Sequence, residues 1–163
     1  MSEPNSLILQ PHALKIVLVH PQIAPNTGNI ARAAVAAGAQ LHLVRPLGFI
    51  LSDRTLRRSA MDYWPRLQLT IHDDLPTFLA EMMRSGDPFW FFSSKATRSL
   101  WQATFTRNDW LIFGSETAGL SEDLLAEHQD RALRIPQAAG ERCLNLSTAA
   151  GIGLYEALRQ LTG

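Results

Sequence analysis

Two asparagines and an arginine follow the first apolar run of the chain, in the segment PQIAPNTGNIAR from Pro21 to Arg32. The prolines stiffen this segment, its glycine allows a tight turn, and Asn26 and Asn29 offer amide groups. Arg32 follows about one turn into the expected helix, where its guanidinium can bind a phosphate or stabilise a developing oxyanion. The same spacing also fits an ordinary capped turn with a surface arginine.

A second polar segment, FGSETAGLS, follows a later apolar run. Gly114 and Gly119 bracket Ser115, Glu116 and Thr117, so backbone groups there can approach a ligand closely. Glu116 could accept a hydrogen bond from a hydroxyl, orient an arginine or cap a helix. A capped turn before the following SEDLL explains the segment equally well.

The third polar segment, IPQAAGERCLNLS, lies between the last predicted strand and the last predicted helix. Asn145 and Ser147 can cap that helix. Cys143, with no histidine near it in sequence, is more typical of a small buried apolar residue than of a nucleophile. Because α/β proteins bind ligands at the mouth of such strand-loop-helix units, the segment is a candidate binding loop.

The charged residues indicate a local site and give no argument for general nucleic-acid affinity. Fifteen basic residues balance fifteen acidic ones, and only two of the basic residues are lysines, which leaves thirteen arginines. Arginine favours bidentate phosphate recognition, although a GC-rich genome would also favour its codons. Arg54, Arg57, Arg58 and Arg66 cluster in the sequence, and this cluster predicts a compact polyanion site.

Strands and helices are predicted to alternate along the chain. Apolar runs predict strands at KIVLVH, QLHLV, QLTI (Gln68 to Ile71), PFWFFSS, WLIFG and RALRI. Helical segments are predicted at IARAAVAAG, at Arg54 to Ala60, at DDLPTFLAEMMRSG, at SEDLLAEH and from Leu146 to Leu161. This alternation predicts an α/β fold with a mostly parallel sheet and helices on both faces.

Length and composition predict one domain over residues 1–163, with residues 1–14 as an N-terminal tail. A single cysteine excludes an internal disulfide framework, so a reducing cytoplasm is the default location. The histidines never approach metal-ligand spacing, and no apolar run is long enough to cross a membrane. The phosphate-binding and nucleophile-elbow glycine motifs are missing. P-loop enzymes, standard dinucleotide dehydrogenases and α/β hydrolases are therefore disfavoured.

The three polar segments, taken in order, resemble those of a known superfamily. The series P-x-I-x-P-N-T-G-N-I-A-R, F-G-S-E-T-x-G-L and R-I-P…L-N-L-S-x-A…Y-E-A-L-R-Q resembles the SPOUT RNA methyltransferases. The segment LRRSAMDYW, from Leu56 to Trp64, also resembles the one that follows their second strand. The likeness runs from about Lys15 to Leu161. It is closest to the small YibK-like TrmL type, which methylates the ribose 2′-hydroxyl of the tRNA wobble nucleotide.

This resemblance implies a fold feature that the pattern of strands and helices does not predict. The C-terminal segment of SPOUT proteins threads through a loop to form a deep trefoil knot, whereas chain connections are almost never knotted. The resemblance also implies S-adenosylmethionine as cofactor and tRNA as substrate, most specifically the wobble C or U of leucine tRNA. It implies a homodimer whose active site is completed across the interface, with the first-motif helix and the last helix as dimer surfaces. No metal, membrane or DNA partner is implied.

The resemblance assigns roles to residues by position. It implies a cofactor pocket of Gly114, Ser115, Glu116, Ile135, Leu144 and Asn145, with Ile135 and Leu144 bracketing the adenine. It implies catalytic roles for Asn26, Arg32, Glu116 and Asn145, and RNA contacts for Arg32, Arg54, Arg57 and Arg58. Because a guanidinium is a poor base, we expect Arg32 to hold a phosphate and stabilise the forming alkoxide, while Glu116 or a water relay takes the proton. Ala118 and Cys143 stand where the family usually has arginine and serine.

Three other functions remain compatible with the sequence. The protein could methylate another RNA or another nucleotide, because the shared motifs do not separate these substrates. It could be a knotted protein that binds RNA or a nucleotide without catalysis, although the presence of Asn26, Arg32, Glu116 and Asn145 together argues against this. A nicotinamide-dependent enzyme is disfavoured by the missing glycine fingerprint.

Overall fold

The computed structural model describes residues 8–52, 54, 56, 58 and 61–162. Along these residues, bounds are defined for seven strands and four α-helices. They are β1 (Lys15–Val19), α1 (Ala24–Ala37), β2 (Gln40–Val44), β3 (Leu69–His72), α2 (Leu75–Ser85), β4 (Phe89–Phe92), β5 (Arg98–Ser99), β6 (Trp110–Phe113), α3 (Glu122–Glu127), β7 (Ala132–Arg134) and α4 (Leu146–Thr162). Short 3-10 helices lie at Met61–Arg66, Leu100–Gln102 and Gln129–Arg131.

The strands form one sheet in the order β3-β2-β1-β6-β4-β7-β5. Every strand pairing in it is parallel. The predicted α/β fold with a parallel sheet is therefore confirmed. Because parallel strands end at the same edge, the segments that follow β1, β4, β6 and β7 meet there.

Alternate residues of each central strand face opposite sides of the sheet, and helices cover both sides. In β1, Ile16 and Leu18 pack with residues of α1 and α4 in one core cluster. Val17 and Val19 pack with residues of α2 and α3 in the other. Because successive side chains of β1 point to opposite faces and both faces are buried, apolar residues follow one another without interruption after Lys15.

The ends of several predicted elements are confirmed by their caps. Gly38 ends α1 with a φ of 73°, in the left-handed region that favours glycine. The side chain of Asp74 accepts a hydrogen bond from the backbone N–H of Thr77 at the start of α2. The hydroxyl of Ser121 likewise accepts from the backbone N–H of Leu124 in α3.

Some predicted boundaries are wrong. Helix α1 begins at Ala24, so most of the segment predicted as a loop is helical, because Pro25 suits the first turn of a helix. The third strand lies one residue later than predicted, and the two-residue strand β5 was not predicted. In the predicted helix from Arg54 to Ala60, the described residues Arg54, Leu56 and Arg58 are helical, and the others lie outside the described residues. None of the helices within the described part of the chain is long and apolar enough to cross a membrane.

Two histidines are buried together on the face of the sheet that α2 covers. Nδ1 of His42 lies 2.9 Å from Nε2 of His72. Nδ1 of His72 lies 3.4 Å from a carboxylate oxygen of Glu81. Burial, followed by the charges of His72 and Lys15, lowers the pKa of His42 to about 4. Both rings therefore contribute to the packing of this face of the sheet.

The low pKa of His42 predicts a loss of stability in mild acid. Below pH 6.5 the unfolded chain binds a proton at this residue, whereas the folded chain does not bind it until about pH 4. Between pH 7 and pH 5, His42 should therefore lower the free energy of unfolding by about 2 kcal/mol. Urea unfolding at both pH values measures this decrease, and most of it should disappear in His42→Gln. An equal decrease in the variant would contradict the prediction.

Candidate active site

A cavity of about 490 Å³ opens where β4, β6 and β7 end. This is the edge of an open α/β sheet at which ligands bind, and the volume suits a small molecule. Four polar segments line it, namely the start of α1, the residues after β4, the turn after β6 and the segment between β7 and α4. The residues that line it include Ile23, Asn26, Ser94, Lys95, Phe113, Gly114, Ser115, Glu116, Leu133, Ile135, Cys143, Leu144 and Asn145.

The turn after β6 folds back against the end of its own strand. The backbone N–H of Gly119 donates to the carbonyl of Ser115 at 3.0 Å, and these two residues form an isolated β-bridge. A Cβ atom at Gly114 would lie 2.1 Å from the carbonyl carbon of Gly119. Only glycine at position 114 therefore permits this close approach of two backbone segments.

Glu116 extends from this turn to the start of α1. Its carboxylate accepts hydrogen bonds from the backbone N–H of Gln22 at 2.7 Å and from that of Ile23 at 2.9 Å. The side-chain amide of Asn26 donates to the same carboxylate at 3.3 Å. Ile23 is the N-cap residue of α1 and Gln22 precedes it, so the carboxylate caps the entry to this helix from a distant part of the chain. Of the three roles considered from the sequence, the structure shows the cap.

Asn145 connects the third segment to the first. Its side-chain amide donates to the side-chain oxygen of Asn26 at 3.1 Å. Its own side-chain oxygen accepts from the backbone N–H groups of Ser147 at 2.9 Å and Thr148 at 3.4 Å. Asn145 therefore caps α4, as the sequence suggested, and also fixes the orientation of Asn26 inside the cavity.

Of the arginines predicted to contact RNA, the described ones do not line this cavity. Arg32, Arg54 and Arg58 are exposed, and Arg57 lies outside the described residues. The guanidinium carbon of Arg32 lies 5.4 Å from the ring centre of Tyr63, in the 3-10 helix Met61–Arg66. The structure thus brings together Asn26, Glu116, Asn145 and the other predicted pocket residues, but not Arg32.

Two further observations concern residues on the wall of the cavity. Cys143 is exposed, so the expectation of a buried apolar residue is wrong. Its thiol donates to the hydroxyl of Ser94, with Sγ and Oγ 3.2 Å apart. Ser94 and Lys95 line the cavity without having been predicted, because the serines after β4 were taken as the end of a strand. Their position at the carboxyl end of that strand was the signal that could have identified them.

A parallel α/β sheet with a ligand cavity at this edge defines a small-molecule-binding or catalytic domain. Residues 13–155 match the family model described as the SpoU rRNA Methylase family. The match covers most of the chain, and the chain belongs to this family of methylases.

Individual relatives cover nearly the whole chain. A protein of Synechocystis sp. is 46% identical over 149 residues, which are 91% of this chain and 97% of that protein. The tRNA (cytidine(34)-2′-O)-methyltransferase of Yersinia pestis is 42% identical over 152 residues, covering 91% of this chain and 94% of the relative.

Solved structures share the fold. One, described as giving structural insights into the 2-OH methylation of C/U34 on tRNA, has a TM-score of 0.90 and 46% identity, covering 94% of this chain and 99% of the other. The AdoMet-bound rRNA methyltransferase of Sinorhizobium meliloti has a TM-score of 0.83 and 27% identity, covering 99% of this chain and 62% of the other.

The cap provided by Glu116 predicts a linked loss of stability and ligand binding. In Glu116→Gln, one carboxylate oxygen becomes an amide that cannot accept from the helix N–H groups. We expect the free energy of unfolding to fall by about 1 to 2 kcal/mol, as for a lost helix cap. The affinity for S-adenosylmethionine should fall with it, because Asn26 and the turn after β6 lose their common partner. Urea unfolding and calorimetry measure the two effects.

Glu127→Gln is the matched control, since Glu127 is exposed and lies at the end of α3. It should change neither quantity. If Glu116→Gln kept the stability and cofactor affinity of the original protein while losing only turnover, Glu116 would be a proton acceptor and the cap would be unimportant.

Proposed function

We propose that this protein transfers the methyl group of S-adenosylmethionine to the ribose 2′-hydroxyl of the wobble nucleotide, C or U at position 34, of tRNA. The observation that carries this proposal is the convergence of Asn26, Glu116 and Asn145 on one cavity from three distant segments. The likeness to the structure concerned with C/U34 methylation extends over nearly the whole of both chains and supports the substrate. Leucine tRNA is the first substrate to test.

The cavity has the chemistry that this cofactor requires. Leu133, Ile135 and Leu144 provide an apolar wall that suits the faces of a purine. Glu116 and Lys95 also line it and suit the polar and charged parts of the molecule. The cofactor supplies an activated methyl group on a sulfonium, so the protein has to align the attacking hydroxyl more than to activate the donor.

The polar side chains of the site have different roles in the proposed reaction. Both oxygens of Glu116 already accept hydrogen bonds from N–H groups, so this carboxylate positions Asn26 and α1, and a water relay takes the proton of the ribose hydroxyl. Asn26 and Asn145, held together in the cavity, orient the ribose. Arg32 binds the neighbouring phosphate and stabilises the forming alkoxide, because a guanidinium stays charged at every physiological pH.

The position of Arg32 supports a homodimer. Arg32 lies six residues after Asn26 on α1, which places it about 9 Å further along the axis and about 120° around it. It therefore does not line the cavity of its own chain. We propose that Arg32 completes the active site of a second copy, across an interface formed by α1 and α4.

Helix α4 offers an apolar surface for this interface. Ile152 and Tyr155 lie three residues apart on one face of the helix and are 38% and 52% exposed. Helix α1 packs against α4 in one core cluster, so the two helices are neighbours on the same side of the sheet. Their exposed sides can therefore contact a second copy together.

A charge at this surface should dissociate the dimer. Ile152→Glu would bury an unpaired carboxylate, and we expect the dimer dissociation constant to rise at least tenfold, or by about 1.4 kcal/mol. Sedimentation over a concentration series measures this change. Met83→Glu is the matched control, because Met83 is 56% exposed on α2, away from the proposed interface. Equal behaviour of the two variants, or a monomeric original protein, would contradict the proposal.

We also propose that the C-terminal segment threads through the preceding loop in a deep trefoil knot. The turn after β6 and the segment between β7 and α4 line the same cavity, which supports a crossing of the two. An experimental structure in which they lie side by side without crossing would exclude the knot. A cytoplasmic location follows from the tRNA substrate, and recovery of the protein in a membrane fraction would contradict it.

A second candidate is 2′-O-methylation of another RNA. The structural likeness to an rRNA methyltransferase, at 27% identity, supports it less than the C/U34 likeness at 46% identity. The modified nucleotide decides between them. If no RNA accepts a methyl group, the results would favour a knotted protein that binds RNA or a nucleotide without catalysis.

Labelled methyl transfer to total tRNA, followed by mapping of the modified nucleotide, tests the function directly. The original protein should label the wobble ribose. Arg32→Ala should lower the transfer rate at least a hundredfold while leaving the affinity for S-adenosylmethionine within about twofold, because the guanidinium acts on the substrate side. Near-normal turnover in this variant would contradict the role of Arg32.

A further inference from the structure

The aromatic ring of Tyr63 makes cation–π contacts with two arginine side chains. The guanidinium carbon of Arg32, from α1, lies 5.4 Å from the ring centre, and that of Arg66 lies 4.9 Å from it. Both arginines are exposed, whereas Tyr63 is half-buried. The next residue, Trp64, packs against the core that contains α1, so the 3-10 helix holding Tyr63 is anchored beside that helix.

This arrangement places two positive charges close together. Both guanidinium carbons lie so near the same ring centre that their separation is within about 10 Å, the Debye length in 0.1 M salt. The ring face attracts each cation but leaves their mutual repulsion in place. Within the described residues, no ion pair includes Arg32 or Arg66, and Asp62 is the exposed acid of the same 3-10 helix. An anion that contacts both guanidinium groups would offset the repulsion.

We propose that Tyr63 is a positioning residue whose ring holds Arg32 and Arg66 as a paired site for one backbone phosphate of the RNA substrate. The inference rests on the proposed function and adds two residues to it. Arg66 shares the phosphate with Arg32, and Tyr63 restricts the rotamers of both long side chains before the RNA arrives. Planar guanidinium groups bind phosphate oxygens in a fixed geometry, so this restriction lowers the entropy lost on binding.

The ring, and not the hydroxyl, makes the two contacts. Tyr63→Phe should therefore retain the site, whereas Tyr63→Leu should remove it while keeping an apolar side chain beside α1. Arg66→Gln removes one member of the pair without changing the ring. Arg84→Gln is the matched charge control, because Arg84 is an exposed arginine on α2 whose side chain donates to the carbonyl of Ala80 in its own helix.

The test measures tRNA binding, tRNA methylation and S-adenosylmethionine affinity for these variants. Tyr63→Leu and Arg66→Gln should each raise the dissociation constant and the KM for tRNA about tenfold. Arg66→Gln should also reduce the slope of log affinity against log salt by about one. Tyr63→Phe and Arg84→Gln should stay within about twofold of the original protein, and no variant should change the cofactor affinity.

A double-mutant cycle separates positioning from a general effect on folding. In an Arg32→Gln, Arg66→Gln background, Tyr63→Leu should change tRNA binding less than about twofold, because no guanidinium remains for the ring to hold. An undiminished effect there, or a tRNA affinity of Tyr63→Leu equal to that of the original protein, would overturn the inference. So would a parallel loss of cofactor affinity in Tyr63→Leu.

The binding measurements also distinguish this inference from the proposed function. If the original protein transfers no methyl group to any tRNA, the proposed function fails, while the binding cycle still tests the paired phosphate site. If the original protein methylates tRNA and the cycle shows no coupling between Tyr63 and the arginines, only the inference about Tyr63 fails.

Discussion

The carboxylate of Glu116 is the contact on which the geometry of the site depends. It joins the turn after β6 to the backbone N–H groups of Gln22 and Ile23 at the entry to α1, across more than ninety residues of sequence. Through Asn26 it also reaches Asn145, which caps α4. One chain of hydrogen bonds therefore fixes three of the segments that line the cavity, and the ends of two helices depend on it.

In the proposed function, the cavity that would hold the cofactor is separate from the arginines that would bind RNA. The cavity is built from backbone turns and short side chains, and Gly114 permits the closest backbone approach in it. Arg32 and Arg66 lie elsewhere, on the outer surface of α1 and on the 3-10 helix that carries Tyr63. A local pair of positive charges can contact a polyanion even on a protein whose net charge is zero.

The sequence predicts the parallel sheet and the segments that form the site. It does not predict which residues of these segments contact one another. Few other folds have strands that are buried on both faces and alternate with helices. The polar residues that follow these strands lie at the carboxyl edge of the sheet, where such folds bind ligands. The order of the strands, the partners of Glu116 and the distance of Arg32 from the cavity depend on contacts between distant residues, which local patterns do not encode. The start of α1 was missed because proline and asparagine suit a loop and a first helical turn equally well.

The most direct test of the account is a crystal structure of the protein with S-adenosylhomocysteine, the product left by the cofactor. The adenine should lie between Ile135 and Leu144, and the sulfur should face the side of the cavity on which Asn26 and Asn145 meet. The product should be held without displacing Glu116 from the start of α1. Binding at any other place on the molecule, or a cavity in which Glu116 has left α1 to contact the product, would contradict it.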